Sequence, residues 1–177
     1  MRAHHFVRVA LLTLAVGTLV GCASPAGQSI PPEVSARLER LEDIEAIRTL
    51  LVQYGRTLDD RDFSAFSRLW AADSEFVGGA GNSAHGPEAI GALLEKLIEG
   101  NLPDSRGTNF HLFTNERIDL DGDAATAVSR AAFMAASPEN RPVVSILATY
   151  EDRLVREDGQ WKFARREILG HIPVPRR

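Results

Sequence analysis

Apolar and polar positions follow two periods along this chain, and the change from one to the other divides it. From Glu33 to Leu58 apolar residues recur at steps of three and four: Val34, Leu38, Leu41, Ile44, Ile47, Leu51, Tyr54 and Leu58. That spacing predicts one long helix with an apolar stripe. Its other face carries Arg37, Glu39, Arg40, Glu42, Glu45 and Arg48. Asp62 is placed to cap a second, short helix that turns Phe63, Phe66 and Trp70 inward. Ser74 to Val77 suits a short strand, and the glycine-dense Gly78 to Asn82 reads as a loop. Pro87 fits the first turn of a third helix that runs to about Glu99.

After Arg106 the period falls to two. Phe110 to Leu120 and Ala124 to Ala135 read as strands around an Asp121-Gly122-Asp123 turn. Val143 to Arg156 and Trp161 to Ile168 form a second pair around Glu157-Asp158-Gly159. Helices followed by hairpin-linked strands predict an α+β domain with an antiparallel sheet. A long sheet curved against a long helix makes a cone with a pocket.

The first 32 residues have another pattern. Met1 to Arg8 is short and basic, and Val9 to Val20 is an uncharged, mostly apolar run. The run is shorter than the roughly 20 residues a membrane-spanning helix needs, so it reads as a secretory signal. Leu19-Val20-Gly21-Cys22 looks like a lipobox, in which the thiol of Cys22 is acylated and becomes the first mature residue. Cys22 is the single cysteine, so no disulfide framework is available. The other reading is an ordinary cleaved signal with an incidental cysteine. The expected organisation is a signal peptide over 1–21, a flexible tether over 22–32 rich in Ser, Pro and Gly, a domain over 33–170 and a tail over 171–177.

Removing 21 residues from 177 leaves 156, enough for one domain with a sizeable core. Subtracting Arg2 and Arg8 takes the formal charge from −4 to −6, and no basic cluster offers itself to nucleic acid. Over residues 22–177 no closely spaced His-His or His-Glu set suggests a metal. Gly78 to Gly81 lacks the Lys and Ser/Thr of a phosphate loop.

Several segments, in this order and spacing, resemble the SnoaL-like group of the NTF2-like superfamily. They are Ile47-Arg48-Thr49-Leu50-Leu51 with Tyr54 and Leu58-Asp59, then His111-Leu112-Phe113-Thr114-Asn115, then Ile118-Asp119-Leu120-Asp121-Gly122-Asp123-Ala124. The last runs from Tyr150 to Phe163 and includes Arg166 just beyond it. The resemblance covers about Glu33 to Ile168. It implies an NTF2-like cone, with three N-terminal helices packed on a curved antiparallel sheet. The superfamily holds dehydratases, isomerases, epoxide hydrolases and non-catalytic domains, so fold alone assigns no activity.

His111 lies within a predicted strand, and imidazole can take and return a proton near neutral pH. Strict alternation puts His111, Phe113 and Asn115 on one face. A buried, hydrogen-bonded and inert histidine is the competing reading. Asp59 ends the first helix at the negative end of its dipole, a cost of roughly 0.3–1 kcal/mol that suits a residue with a task; a solvated turn is the alternative. Tyr54 falls on the apolar stripe as core or as a hydroxyl aimed into a cavity. The resemblance implies that His111 is a catalytic acid/base, that Asp59 orients it and that Tyr54 polarises a carbonyl. Five helical residues turn about 140°, so Tyr54 and Asp59 reach one pocket only if the helix ends or bends near Leu58. Asn115 and Arg166 are candidates to bind a substrate oxygen. Alternation from Trp161 and Phe163 instead turns Arg165 inward, so Arg166 needs a bulge. Asp152 has two readings, an inward-facing carboxylate and an ion pair at the edge of the sheet, of which the second is the expectation.

Two functions follow. One is a cofactor-free dehydratase or isomerase acting on a small apolar or cyclic molecule. The other is a non-catalytic carrier with the same cone. Both sit at the cell envelope, facing the periplasm or exterior, with the lipid as the one membrane contact. Pairing through the open sheet face makes a homodimer a further expectation. Cys22→Ala is expected to abolish acylation and move the protein out of the membrane fraction; unchanged membrane association on fractionation would refute the anchor.

Overall fold

The computed structural model of the protein describes residues 30–101 and 107–172. Cys22, the signal segment and most of the tether lie outside the described residues, as does the tail beyond Ile172. Among the described residues no helix is long and apolar enough to cross a membrane.

Helix α1 spans Pro32–Asp59, α2 Phe63–Ser67 and α3 Pro87–Asn101. The strands are β1 (Trp70–Val77), β2 (Ser83–His85), β3 (Phe110–Asp121), β4 (Ala124–Ala136), β5 (Pro142–Glu157) and β6 (Gln160–Ile172). They form one six-stranded sheet in the order β2-β1-β6-β5-β4-β3. The four long strands pair antiparallel as their hairpin turns dictate. The short strand expected at Ser74 to Val77 begins earlier, at Trp70, and joins β6 in parallel. The crossover from β1 to β6 runs through β2, α3 and β3 to β5, which frees that pair from the hairpin constraint.

The caps follow from the sequence. Asp62 accepts the Ala65 N–H at 2.8 Å and starts α2. Helix α1 ends in a Schellman arrangement: the Asp62 N–H bonds the Thr57 carbonyl (2.8 Å) and the Arg61 N–H bonds the Leu58 carbonyl (3.2 Å). Arg61 occupies the left-handed position, φ 61°, that usually calls for glycine. Its guanidinium turns back onto the carbonyls of Leu58 (2.7 Å) and Asp59 (3.2 Å). Those bonds satisfy helix-end acceptors and offset the strain.

The core lies between the carboxyl half of α1, α3 and the inner sheet face. Ile47, Leu50, Leu51, Tyr54 and Leu58 are buried, whereas Val34, Leu38 and Leu41 are exposed. The sequence stripe is therefore longer than its partner surface. Near the middle of α1, Asp43 accepts from Arg156 Nη2 (2.5 Å) and Trp161 Nε1 (3.0 Å), which ties the helix to the β5–β6 hairpin.

Two bulges decide which side chains face inward. Between Thr114↔Arg130 and Arg117↔Val128, β3 carries one residue more than β4. Asn115 sits there at φ 53° and is exposed. The expected common face of His111, Phe113 and Asn115 thus ends at Phe113. On β6, the step from Leu154↔Phe163 to Arg153↔Arg165 leaves Ala164 extra. Trp161 and Phe163 face inward, and the bulge turns Arg166 inward after them in place of Arg165. Arg165 pairs with Glu75 (2.8 Å) and Glu167 (2.9 Å).

Arg166 has no exposed side-chain surface, and neither does Asp152. The edge-of-sheet ion pair expected for Asp152 is therefore a core ion pair. Nε and Nη2 donate to the two carboxylate oxygens at 2.7 and 2.8 Å. Direct register opposition of Asp152 and Arg166 makes this bidentate contact geometrically natural. Asp152→Ala leaves a buried guanidinium uncompensated and is expected to cost about 3–5 kcal/mol. The double variant Asp152→Ala/Arg166→Met is expected to recover much of that loss in urea unfolding; equal stability of wild type and the single variant would refute the assignment.

Candidate active site

Asp59 leaves the last turn of α1 and meets the start of β3. Its Oδ1 lies 2.7 Å from His111 Nδ1, and its Oδ2 accepts the His111 backbone N–H at 2.8 Å. One residue thus offers the carboxylate both a ring nitrogen and an amide. The Asn109 side chain adds a third donor, Nδ2 to Oδ1 at 3.0 Å. These contacts supply the positive partners that the helix terminus denies a carboxylate. The His111 and Asp59 side chains retain 10% and 15% of their exposure, so the pair is sheltered yet within reach of solvent.

Helix geometry explains how β3 comes this close. Gly55 and Asp59 lie four residues apart and share a face. A Cβ on Gly55 would stand 2.9 Å from His111 Cβ and 3.0 Å from Phe113. Glycine at this position is what lets the strand lie against the helix. Tyr54 points to the adjacent face, into the core, where it is 1% exposed. Its ring lies edge-on to His111 with centroids 6.3 Å apart. No bend is required to bring Tyr54 and Asp59 to one histidine: the helix ends at Asp59, and the imidazole bridges the two faces.

Behind the pair stands an aromatic box around Arg166. The guanidinium carbon lies 4.0 Å from the Tyr54 ring centre, 4.2 Å from Phe163, 4.7 Å from Tyr150 and 5.7 Å from Phe113. Burial opposes the Arg166 charge, but the Asp152 carboxylate outweighs it and holds the pKa above the ordinary value. The Nη1 group is buried with no hydrogen-bond partner among the described residues. An unanswered buried donor of this kind is costly. Burial pushes the Tyr54 hydroxyl up to about 12, with Arg166 drawing it down in part, and raises that of Tyr150 as well. Tyr54 is therefore a neutral donor at physiological pH.

The residues proposed from sequence divide accordingly. His111 and Asp59 are brought together, with Tyr54 and Arg166 beside them. Asn115 is carried away by the bulge that holds it, and is removed from the site. Asn109, Arg61 and Gly55 escaped sequence reasoning, and Asp152 takes the inward place that stood as the alternative to a sheet-edge ion pair. Alternation back from His111 places position 109 on the same face, the one signal that could have found Asn109. Around the imidazole stand Tyr54, Phe113 and Phe133, the last with ring centres 4.8 Å apart. An open cleft of about 340 Å³, lined by Thr49, Gln53, Arg68, Trp161 and Lys162 among others, shares no residue with the pair. No three His, Cys, Asp or Glu side chains gather in a metal-holding set among the described residues.

The profile of the SnoaL-like domain matches residues 39–167. No curated protein matched the chain. Among solved structures, an NTF2-like protein with a cystatin-like fold from Novosphingobium aromaticivorans is 25% identical, with TM-score 0.71 over 83% of this chain and 94% of its own. A candidate scytalone dehydratase from the same organism is 24% identical, with TM-score 0.64, covering 75% of this chain and 87% of that one. A hexachlorocyclohexane dehydrochlorinase from Novosphingobium barchaimii is 22% identical, with TM-score 0.61 over 78% and 96%. These likenesses establish the curved NTF2-like fold.

Because the folded state holds Tyr54 protonated at a pH where the unfolded chain ionises, stability falls as pH rises from about 10 to 12. The two-unit shift corresponds to roughly 2–3 kcal/mol. Tyr54→Phe is expected to flatten this alkaline limb in denaturant unfolding between pH 9 and 11; an unchanged slope would place the loss elsewhere.

Proposed function

This chain belongs to the SnoaL-like domain family, and from that premise we propose that it is a cofactor-free lyase or isomerase with His111 as its base. The observation that carries the reading is the 2.7 Å pairing of His111 Nδ1 with Asp59, a carboxylate that also holds the His111 backbone N–H. A carboxylate on Nδ1 keeps the proton there and leaves Nε2 as the nitrogen that exchanges protons. In the proposed step Nε2 takes a proton from a carbon next to a carbonyl. The electron pair moves onto the carbonyl oxygen, where the Tyr54 hydroxyl donates to the developing enolate and the buried Arg166 charge behind it adds electrostatic support. Collapse of the enolate expels a hydroxide or halide from the β carbon. For hydroxide, the protonated His111 returns its proton and water leaves; for halide, the anion departs and His111 releases its proton to solvent. For an isomerase the proton returns to another carbon.

The substrate class is a small cyclic ketone with a hydroxyl or halogen on the carbon β to the carbonyl, in keeping with the aromatic lining. The dehydratase and dehydrochlorinase names among the fold neighbours support elimination as the reaction type. A small apolar pocket beside the dyad is part of this reading. So is attachment at the cell envelope through Cys22. A homodimer belongs to it too, since the outward sheet face leaves Phe110, Leu112, Val144, Leu147 and Leu169 exposed, as subunit contacts require.

The test is a panel of small cyclic β-hydroxy and β-halo ketones, scored for elimination and for deuterium entering the position next to the carbonyl. His111→Gln and Asp59→Asn are each expected to lower kcat, the first by about 10²–10⁴-fold. Melting temperatures should stay close to wild type. Full turnover in His111→Gln would refute the base assignment. Saturable binding with neither elimination nor exchange would make the protein a carrier.

A further inference from the structure

Resting on the reading of His111 as a base held by Asp59, we propose that Asn109 is the positioning residue that sets the His111 tautomer, with Arg61 as its brace. The chain of contacts is continuous. Arg61 Nη2 donates to Asn109 Oδ1 at 2.9 Å, Asn109 Nδ2 donates to Asp59 Oδ1 at 3.0 Å, and that same oxygen faces His111 Nδ1 at 2.7 Å.

Each link has a physical consequence. The charged guanidinium fixes which end of the Asn109 amide is oxygen, so the NH₂ end must point at Asp59. It also polarises that amide and strengthens its donation. His111 holds both oxygens of Asp59, its backbone N–H at Oδ2 and its ring at Oδ1. The Asn109 bond, arriving from the residue two positions earlier, is a second donor on Oδ1 and keeps that oxygen in place beside the imidazole if the ring contact loosens. With Oδ1 fixed as an acceptor, Nδ1 carries the proton and Nε2 keeps its lone pair.

Placement favours this role over simple packing. Asn109 is 5% exposed, and both ends of its amide are used by groups belonging to the site. Arg61 is committed by its backbone: the left-handed φ and its bonds to the Leu58 and Asp59 carbonyls anchor the guanidinium at the helix end that presents Asp59. The same helix terminus therefore supplies both the carboxylate and the brace. The other polar groups that approach the imidazole do not compete for Nδ1. Tyr54 meets it edge-on, and Arg166, Asp152 and Tyr150 lie behind the Tyr54 and Phe113 rings. From β4 and β3 the neighbours are Phe133 and Phe113.

The experiment reads the tautomer directly and needs no substrate. The full chain, labelled with ¹⁵N histidine, is examined by two-bond nitrogen–proton correlation at a pH where the imidazole is neutral. His111 is assigned by the signals lost in His111→Gln. Wild type is expected to show the Nδ1–H form in large excess. Asn109→Ala, and Asn109→Leu as the variant that keeps the buried volume, are expected to move the ratio toward Nε2–H by about fivefold, the equivalent of one ordinary hydrogen bond. A folded variant of either kind with a wild-type tautomer ratio and only a lowered melting temperature would overturn the proposal and leave the His111–Asp59 reading standing. Wild-type His111 in the Nε2–H form would instead refute that reading itself.

Discussion

The burial of one guanidinium is the constraint on which the rest of this domain depends. Arg166 lies wholly inside the core, matched by Asp152 on the neighbouring strand and surrounded by rings from four elements. A charge in such a place is tolerable only when its partner and its packing are both complete. Tyr54 must bring α1 down onto the guanidinium, Phe113 must bring β3 across, and Tyr150 and Phe163 must close the sides. Satisfying one arginine thus sets the separation of helix and sheet. His111 inherits its place from that separation, since it lies two residues before Phe113 on the same strand face.

The second constraint is how α1 stops. A helix running straight on would carry the chain past the sheet edge and leave Asp59 in mid-helix. The Schellman arrangement at Arg61 ends it one turn after Gly55. Gly55 then allows β3 to approach, and Asp59 meets the His111 ring and amide at once. A carboxylate unfavourably placed in a helix dipole becomes favourable because three donors converge on it. The pair is thereby held in a fixed geometry, as the proposed acid/base role requires.

The strands show how small irregularities select chemistry. The one-residue bulge at Ala164 separates a buried Arg166 from a surface Arg165 that pairs with Glu75 and Glu167. A second bulge removes Asn115 from the face it would share with His111. The inner face would otherwise hold Asn115 and exclude Arg166, which is a different site. Bulges belong to the pairing of two strands, so they leave no mark in the residues of either one.

Local signals were enough for the elements. Three- and four-residue steps defined α1, Asp62 marked the start of α2, Pro87 that of α3, and the Asp121 and Asp158 turns framed the hairpins. Those features act over a few residues, and tertiary packing left them in place. His111, Asp59 and Tyr54 stood out as candidates through the family resemblance, whereas spacing alone set Tyr54 and Asp59 about 140° apart on the helix. Contacts across 48 to 52 residues were beyond that reach: Arg61 to Asn109, Asn109 to Asp59, Asp59 to His111. So were the exposure of Val34, Leu38 and Leu41, the parallel pairing of β1 with β6, and the burial of Asp152. Amphipathic spacing says which face of an element is apolar, but where that face finds a partner depends on the register and bulges of strands far along the chain. Those are settled only when the whole core closes around Arg166.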